Sequence, residues 1–249
     1  MPAARRSLAA ALLLAAAVAL GACSPGIGAQ IEVVEPNAAF RSPEPTNVFV
    51  RLADATPAPE TAYVARLRVT VTHRGRSTLD LLYPALRDRA NALGANAYRV
   101  QGGCSGPGPC EVAVDLYRVP GEVLDGQPDP LPDGTVYVFG ALTANGRPVR
   151  FSLNGEPAEV PPLRYLAYPA TPGEEVRIAV GDRLLGAAVT LPIGEGRAPS
   201  FWSLTGASLG PAAGGGGGGV GVSFNTGRVY QVDSVVGRFL VAMLEEEVR

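Results

Sequence analysis

The sequence predicts an α+β protein, in which a small strand-strand-helix-hairpin domain is followed by an all-β sandwich domain. Three observations lead to this prediction. Residues 63–118 change from strand to helix periodicity and back, a stretch rich in Pro, Gly and Asp follows at 119–132, and the later apolar segments are all short. We expect domains at 45–118 and 133–249 that fold separately, because few contacts should cross a linker of this composition.

The first 22 residues are typical of a secretory signal peptide. Arg5 and Arg6 precede an apolar run from Leu8 to Leu20 that closes on small residues and Cys23. The run is shorter than the ~20 residues that a membrane-spanning helix needs, and no later segment reaches that length. Leu20-Gly21-Ala22-Cys23 resembles the bacterial lipobox, which implies removal of residues 1–22 and acylation of Cys23.

A lipidated Cys23 would fix the protein at a membrane surface, with residues 23–44 as its tether. Acyl chains such as palmitate on one cysteine hold far more firmly than a single chain does. Ser24 follows the cysteine, and in lipoprotein sorting the absence of Asp there implies the outer membrane of a Gram-negative host. We expect the protein to face the periplasm or the cell surface; the alternative is a soluble secreted protein.

The first domain is expected to open with a strand and a helix. YVARLRVTVT, residues 63–72, alternates as a strand should, and a polar turn with His73 follows. Apolar residues then recur at helical steps: Leu79, Leu82, Leu86, Ala90 and Leu93. Ser77 or Asp80 can cap the start of this helix and Gly94 its end. Pro84 indicates either a late start near Asp80 or a kink.

The polar side of the same helix is the candidate partner-binding face. Arg87, Asp88, Arg89 and Asn91 are expected on its solvated side, and Arg87 and Arg89 are the candidate contact residues. A face that is merely solvated is the alternative reading of this pattern.

Two cysteines lie in the turn of a predicted hairpin. Ala97–Gln101 and Glu111–Arg118 read as its strands, and Cys104 and Cys110 stand on either side of a stretch of Ser, Gly and Pro. Outside the inner membrane such a pair is oxidised, so we expect a disulfide. Zinc needs about four ligands and the chain has a single histidine, His73, so no metal is expected. A catalytic dithiol is usually Cys-x-x-Cys at a helix start, which this pair is not.

The run ALRDRANALGANAYRVQGGC, with PTNVFVRLADATPAPETAYVARLRVTV before it, resembles the RcsF group of outer-membrane sensor lipoproteins of the Rcs pathway. The resemblance covers about residues 45–118. It implies the fold, a lipid anchor and a non-catalytic role. RcsF carries two disulfides, whereas only Cys104 and Cys110 are present here, so the signalling role is not carried over.

The second domain is predicted to consist of short strands separated by tight turns. The strand segments are TVYVFGA, RPVRFSL, RYLAY, EEVRIAV, RLLGAAVTL, VGVSF, RVYQV and RFLVAML. Strands at this spacing favour a β-sandwich, and their arrangement resembles exported β-sandwich modules, which implies architecture only. Gly214–Gly219 lacks the Lys-Ser/Thr of a phosphate loop and reads as a hairpin connection.

No catalytic residues are expected. Gly206–Gly210 matches the Gly-x-Ser-x-Gly elbow around Ser208, but that elbow needs a strand-to-helix turn and a later histidine, and His73 lies far upstream. We interpret His73 as an exposed turn residue rather than a pH switch. The aromatic residues expected in the core, rather than on a binding platform, are Trp202, Tyr230 and Phe239.

The charge and composition of the chain argue against one class of partner, nucleic acids. The 21 basic and 23 acidic residues give a net charge of −2 and predict no basic face, so a nucleic-acid partner is not expected. No cofactor is implied. We therefore expect a non-catalytic, lipid-anchored interaction or sensing module of the cell envelope, with an envelope protein or the cell wall as partner. The alternative is a small-ligand or metal-binding envelope lipoprotein.

Overall fold

The structure of the protein is a computed structural model. It describes residues 22–23, 29–40, 46, 48–52, 63–71, 79, 82–104, 110–125, 129–142, 146–181, 186–211 and 222–248. Within these ranges the chain is mostly strand, arranged in three sheets, with three helices. This mixture agrees with the predicted α+β class.

The first sheet has six strands in the order β1-β2-β4-β6-β5-β3. Their bounds are β1 Ala22–Cys23, β2 Ala29–Pro36, β3 Val50–Arg51, β4 Tyr63–Val71, β5 Ala97–Gln101 and β6 Cys110–Tyr117. β3 pairs parallel to β5, and every other neighbouring pair is antiparallel. Residues 63–71 of the alternating segment and the two segments beside the cysteines therefore form strands, as the sequence predicted.

Strand β2 corrects the expectation that residues 23–44 are only a tether. Ala29 and Ile31 are buried while Gln30 and Glu32 are exposed, which is the alternation of a strand with one face on a core. β2 pairs along most of its length with β4. The folded sheet therefore begins inside the segment that the sequence analysis assigned to the linker between anchor and domain.

Helix α1, Leu82–Ala92, lies against the first sheet. Pro84 is its third residue, in the first turn, where a missing N–H breaks no intrahelical hydrogen bond. Leu82, Leu86 and Ala90 belong to the same buried cluster as the inner residues of β4. The helix ends as predicted, with Gly94 at a φ of 82°. The proposed cap residues Ser77 and Asp80 lie outside the described residues.

Two further sheets follow in the second half of the chain. The strands are β7 Thr135–Phe139, β8 Val149–Leu153, β9 Glu156–Val160, β10 Arg164–Pro169, β11 Glu175–Val180, β12 Ala187–Pro192, β13 Ser200–Pro211, β14 Val222–Gln231 and β15 Glu245–Glu246. One sheet has the order β14-β13-β7-β10-β15 and the other β12-β11-β8-β9. A single buried cluster includes Val138 and Trp202 from the first of these sheets and Phe151 and Ile178 from the second.

The segment RFLVAML is a helix, not the strand that the sequence predicted. Helix α3 spans Ser234–Met243, and the carboxylate of Asp233 caps it by accepting hydrogen bonds from the N–H groups of Val235 and Val236. A short helix, α2 at Gly121–Asp125, also forms inside the expected linker. The second half of the described chain is therefore not all β.

Helix α3 packs against the first sheet as well as the second. The ring centroid of Phe239 lies 5.5 Å from that of Tyr83 and 5.9 Å from that of Tyr98. These three rings belong to one buried cluster that also contains Phe201 of β13. The expectation that few contacts cross the linker does not hold for this helix. The domain boundary itself stays a prediction.

Candidate functional site

A pocket of about 310 Å³ lies where helix α3 meets the edge of the first sheet. We call it the junction pocket. Its lining residues are Val50, Arg51, Tyr98, Leu124, Asp129, Pro130, Val235 and Arg238. They come from β3, β5, α2, the chain after α2, and α3, so the pocket exists only when these segments are brought together by the fold.

The floor of the pocket is the edge of the first sheet. β3 is anchored by the N–H of Val50, which donates to the carbonyl of Asn96 at 3.1 Å, and by the N–H of Leu52, which donates to the carbonyl of Tyr98 at 2.8 Å. Tyr98 is almost fully buried, and its ring lies 4.6 Å from that of Phe49. Burial raises the pKa of the Tyr98 hydroxyl far above its ordinary value, so this group stays protonated.

One wall of the pocket is held by an ion pair between Arg238 and Asp129. The Nε of Arg238 lies 3.2 and 3.0 Å from the two carboxylate oxygens of Asp129, and its Nη2 also donates to Asp129. Its Nη1 donates to the carbonyl of Ser234 at 3.0 Å, and its guanidinium lies over the ring of Phe201. Because every side of the guanidinium has a partner, the side chain is fixed in one orientation.

The lining combines apolar side chains with a small excess of positive charge. Val50, Leu124 and Val235 are apolar, and Val235 is 40% exposed at the surface. Two arginines and one aspartate line the same space, so their formal charges sum to +1. Such a lining can hold a small molecule that has an apolar part and a negative charge.

The predicted disulfide residues lie close together, at the end of the hairpin. The Cα atoms of Cys104 and Cys110 are 5.1 Å apart and their sulfur atoms are within bonding distance, which fits a disulfide. The N–H of Cys104 also donates to the carbonyl of Met243 at 2.7 Å, and Cys104 forms a β-bridge with Leu244. Cys104 therefore contacts the end of helix α3, which the sequence did not indicate.

The candidate partner-binding arginines do not share one exposed face. Arg87 is exposed, and its guanidinium lies 3.1 Å from the carboxylate of Asp88. Arg89 and Asn91 are only half-buried residues rather than solvated ones, and the Nε of Arg89 is buried without a hydrogen-bond partner among the described residues. Arg89 and Asn91 are therefore less exposed than the sequence analysis expected, and a role of this face in partner binding stays a prediction. Neither arginine lines the junction pocket.

The sequence analysis also named a serine in an elbow-like motif, three aromatic residues, a histidine and a glycine run. Ser208 lies within strand β13, opposite Asn225 of β14, and so not at a strand-to-helix turn. Trp202 and Phe239 are buried as expected, but Tyr230 is 44% exposed, which contradicts its assignment to the core. His73 and Gly214–Gly219 lie outside the described residues.

The described residues contain neither a cluster suited to a metal ion nor a helix suited to cross a membrane. In the ranges that the structure describes, no group of three or more His, Cys, Asp or Glu side chains is placed to hold a metal ion. None of the helices in those ranges combines the length and the apolar character needed to cross a bilayer. The backbone of Cys23 lies in β1, opposite Gln30 of β2.

Sequence reasoning missed the junction pocket because its residues are far apart in the chain. Arg51 lies in the expected first domain, Asp129 in the expected linker and Arg238 in the expected second domain. One local signal was present: Asp233 followed by Ser234 and an apolar run is a helix start, and it would have placed Arg238 on a helix. No local pattern indicates which surface that helix contacts.

Comparisons of the chain with protein-family models, with curated proteins and with solved structures found no match. The resemblance to the RcsF group therefore stays a prediction.

Proposed function

We propose that the protein is a non-catalytic, lipid-anchored protein of the cell envelope that acts as an interaction or sensing module at the outer membrane. The observation that carries this proposal is Leu20-Gly21-Ala22-Cys23 at the end of an apolar run that follows Arg5 and Arg6. Acylation of Cys23 would hold the protein firmly on the leaflet. An envelope protein or the cell wall would be its partner.

Because β2 begins at Ala29, the tether between the proposed lipid anchor and the first sheet would be short. Only six residue steps separate Cys23 from Ala29, where the strand begins, and they span at most about 20 Å when extended. This is much shorter than a tether that reaches residue 44. The first sheet would then lie close to the membrane surface.

The order of strands supports a defined orientation of the anchored protein. β1, which contains Cys23, is at one edge of the six-stranded sheet, and β3, which lines the junction pocket, is at the other. Four strand spacings of ~4.8 Å separate β2 from β3, or about 19 Å. The pocket edge would therefore face away from the lipid headgroups, towards soluble or opposing components of the envelope.

The finer architecture that we propose is a strand-strand-helix-hairpin unit of the RcsF type followed by a β-sandwich. The proposal is supported by α1 packed on the first sheet and by the buried cluster that two later sheets share. Helix α3 would belong to both units, since its residues contact both.

A second candidate function is small-ligand binding by the same anchored protein. The junction pocket favours it, because apolar and charged side chains converge there from five segments. Metal binding, the other form of this alternative, has no comparable observation to support it.

The anchor is tested by Cys23→Ala in the native host. We expect loss of the acyl mass and release of the protein from the membrane fraction, whereas a Cys104→Ala, Cys110→Ala double variant should stay in that fraction. Unchanged fractionation and mass of the Cys23→Ala protein would contradict the proposal. Crosslinking in native membranes, followed by capture of the protein, identifies the partner.

The helix face is tested by charge reversal at Arg87. Because Arg89 is half-buried, a change there would also disturb packing, so Arg87→Glu alone is the cleaner variant. If this face contacts the partner, Arg87→Glu weakens capture and leaves the melting temperature nearly unchanged. Arg150→Glu, on an exposed arginine of β8, is the matched control. Undiminished capture by Arg87→Glu would show that the contact lies elsewhere.

A further inference from the structure

We infer that the junction pocket binds a short aliphatic acyl compound, and that the buried hydroxyl of Tyr98 donates a hydrogen bond to the carbonyl oxygen of this ligand. The inference rests on small-ligand binding, the second candidate function proposed above, and deepens it by naming the class of ligand. It does not depend on the lipid anchor. Amides and carboxylates with a short aliphatic chain share this chemistry.

The hydroxyl of Tyr98 has no hydrogen-bond partner in the part of the chain that the structure describes. Tyr98 lines the pocket, and only 1% of the residue is exposed. The neighbouring Tyr83 is different, because its hydroxyl donates to the carbonyl of Phe49 at 2.5 Å. Since an unpaired buried donor costs free energy, a cavity lined by such a hydroxyl favours a ligand that brings an acceptor.

The charges that act on this hydroxyl place it on the pocket side of the Tyr98 ring. Burial is the main cause of the raised pKa of Tyr98, and Tyr83 raises the pKa further. The charges of Arg51 and Arg238 act in the opposite direction, so both guanidinium groups are near the hydroxyl, and both residues line the pocket. Because the pKa lies far above neutral pH, the hydroxyl is protonated and can donate.

Apolar side chains supply the rest of the contact surface. Val50 lies on the sheet edge, Leu124 on α2 and Val235 on α3, so apolar groups approach the space from three elements. Val235 is exposed in the described structure, and an aliphatic ligand group placed against it would remove apolar surface from water. The lining therefore suits an aliphatic group that lies next to a single acceptor.

The size of the pocket completes the description of the ligand. A volume of about 310 Å³ is at the lower end of the range for small-molecule sites, which begins at about 300 Å³. A short-chain acyl compound fits such a space, whereas a nucleotide does not. In an acyl compound the carbonyl oxygen is an acceptor attached directly to the aliphatic chain, so one small group meets both requirements of the lining.

The inference is tested by titrating the full chain with isovaleramide, which is uncharged, and with isovalerate, the corresponding carboxylate. The protein is kept in detergent, so the result does not depend on the anchor. NMR of methyl groups follows the binding, because three lining residues are valine or leucine. At least one probe should shift these methyl signals, and acetamide, which lacks the aliphatic chain, should bind about tenfold more weakly or worse. The tighter probe identifies the form that the site takes, and no binding of either would overturn the inference.

Tyr98→Phe removes only the hydroxyl and should weaken the tighter probe by about fivefold or more. Because this hydroxyl has no described partner to lose, the melting temperature of the ligand-free protein should stay the same or rise. Tyr83→Phe is the matched control: it removes the hydrogen bond to Phe49 outside the lining, so its melting temperature should fall. Unchanged binding by Tyr98→Phe, or a melting temperature lowered as far as that of Tyr83→Phe, would overturn the inference.

Val235→Asp tests the apolar wall without disturbing the helix. Val235 is in the first turn of α3, where a carboxylate suits the helix N-terminus. The variant should weaken either probe by about fivefold or more, because the apolar contact is lost. Val123→Asp on α2 is the matched control, since Val123 is similarly exposed but outside the lining. Equal binding by these two variants would contradict the proposed site. Membrane fractionation of Cys23→Ala tests the anchor separately.

Discussion

The six-stranded sheet and the pair of later sheets bury their apolar faces in different ways. The two later sheets share one cluster whose members all lie between Val136 and Leu204. The apolar face of the six-stranded sheet belongs to a second cluster, which contains residues of α1, residues of α3, near the opposite end of the described chain, and Tyr137, Phe139 and Phe201 of the five-stranded sheet. The first sheet therefore depends on a helix that follows the later sheets in sequence.

The other face of the six-stranded sheet carries an ion-paired carboxylate and a smaller apolar cluster. Arg66 of β4 donates from its Nε to Asp115 of β6 at 2.6 Å and lies 3.4 Å from Glu35 of β2. Asp115 is buried, and its hydrogen bonds to Arg66 satisfy its charge. Around Asp115 this face is therefore charge-paired. Ala97 and Tyr117, two residues further along β5 and β6 on the same face, belong to a small buried cluster with Leu52 and Val119.

Phe239→Ala is the strongest test of whether the six-stranded sheet depends on α3. Removal of this buried ring should lower the free energy of unfolding by about 3–5 kcal/mol. The loss should fall mainly on the six-stranded sheet. Urea unfolding is followed by near-UV circular dichroism of the tyrosines and by fluorescence of Trp202, which lies in the cluster of the later sheets.

Val235→Ala is the control, because this residue is on the same helix and exposed. Its effect should stay within about 0.5 kcal/mol. A loss below about 1 kcal/mol for Phe239→Ala would mean that the first sheet does not depend on α3.

Gly237→Ala tests how closely α3 approaches the later sheets. A Cβ atom at Gly237 would lie 2.2 Å from Cγ of Phe201, so the helix or the ring must shift. Alanine ordinarily stabilises a helix relative to glycine by ~1 kcal/mol, but here we expect a net loss of about 1–3 kcal/mol. Gly121→Ala in α2 is the matched control, since nothing lies within 4 Å of its Cβ position. Equal melting temperatures for the two variants would refute the close contact.

Reduction of the Cys104–Cys110 bond should have a smaller effect on the first sheet. The bond closes a short loop, so its loss should cost about 2 kcal/mol. Thiol labelling of the unfolded protein should rise by two groups after treatment with a reductant. The same labelling with and without reductant would show that the two cysteines are not bonded.

The smallest effect on stability is expected for Tyr168→Phe, which removes a side-chain hydrogen bond beside a turn of the later sheets. The hydroxyl of Tyr168 donates to Glu174, and this hydrogen bond is the main reason that the pKa of Glu174 lies below its usual value of 4.5. The stabilisation is therefore present above that value and is lost as the pH falls through the lowered pKa. Tyr168→Phe should cost about 0.5–1.5 kcal/mol at pH 7. The cost should shrink in acid, and thermal melts of both proteins at several pH values measure it.

Glu175→Gln is the control for this pH dependence, because Glu175 is the exposed neighbour of Glu174. Its melting temperature should follow that of the parent protein across the acid range. A cost for Tyr168→Phe that stays constant down to the lowest pH would contradict the assigned hydrogen bond.

The sequence predicted those helices and strands whose conformation depends mainly on residues close together in the chain. The alternation in β4, the late start of α1 that was expected near Asp80 and is observed at Leu82, and its end at Gly94 each follow from the residues in one short window. Helix α3 was missed because a short apolar run fits a buried strand and a buried helix equally well. Only the capping residue Asp233 distinguishes the two.

The candidate functional sites depend on contacts between residues that are far apart in the sequence, and a short stretch of sequence does not show such contacts. The closeness of Cys104 and Cys110 could be predicted, because both lie beside the turn of one hairpin. The junction pocket could not be predicted, because Arg51, Asp129 and Arg238 meet only through the docking of α3. The half-burial of Arg89 has the same origin, since it depends on what packs beside α1 rather than on the helix itself.

The docking of α3 also has a consequence for the order in which the protein forms. A chain is synthesised from its N-terminus, so Tyr83 and Tyr98 emerge long before Phe239, which completes their cluster. During that interval the six-stranded sheet can form its hydrogen bonds, and α1 covers part of its apolar face, but the part that α3 covers stays exposed. Such a partly covered sheet is prone to aggregation and to attack by proteases. A nascent chain stalled before Ser234 should therefore be the species that chaperones retain and proteases cleave.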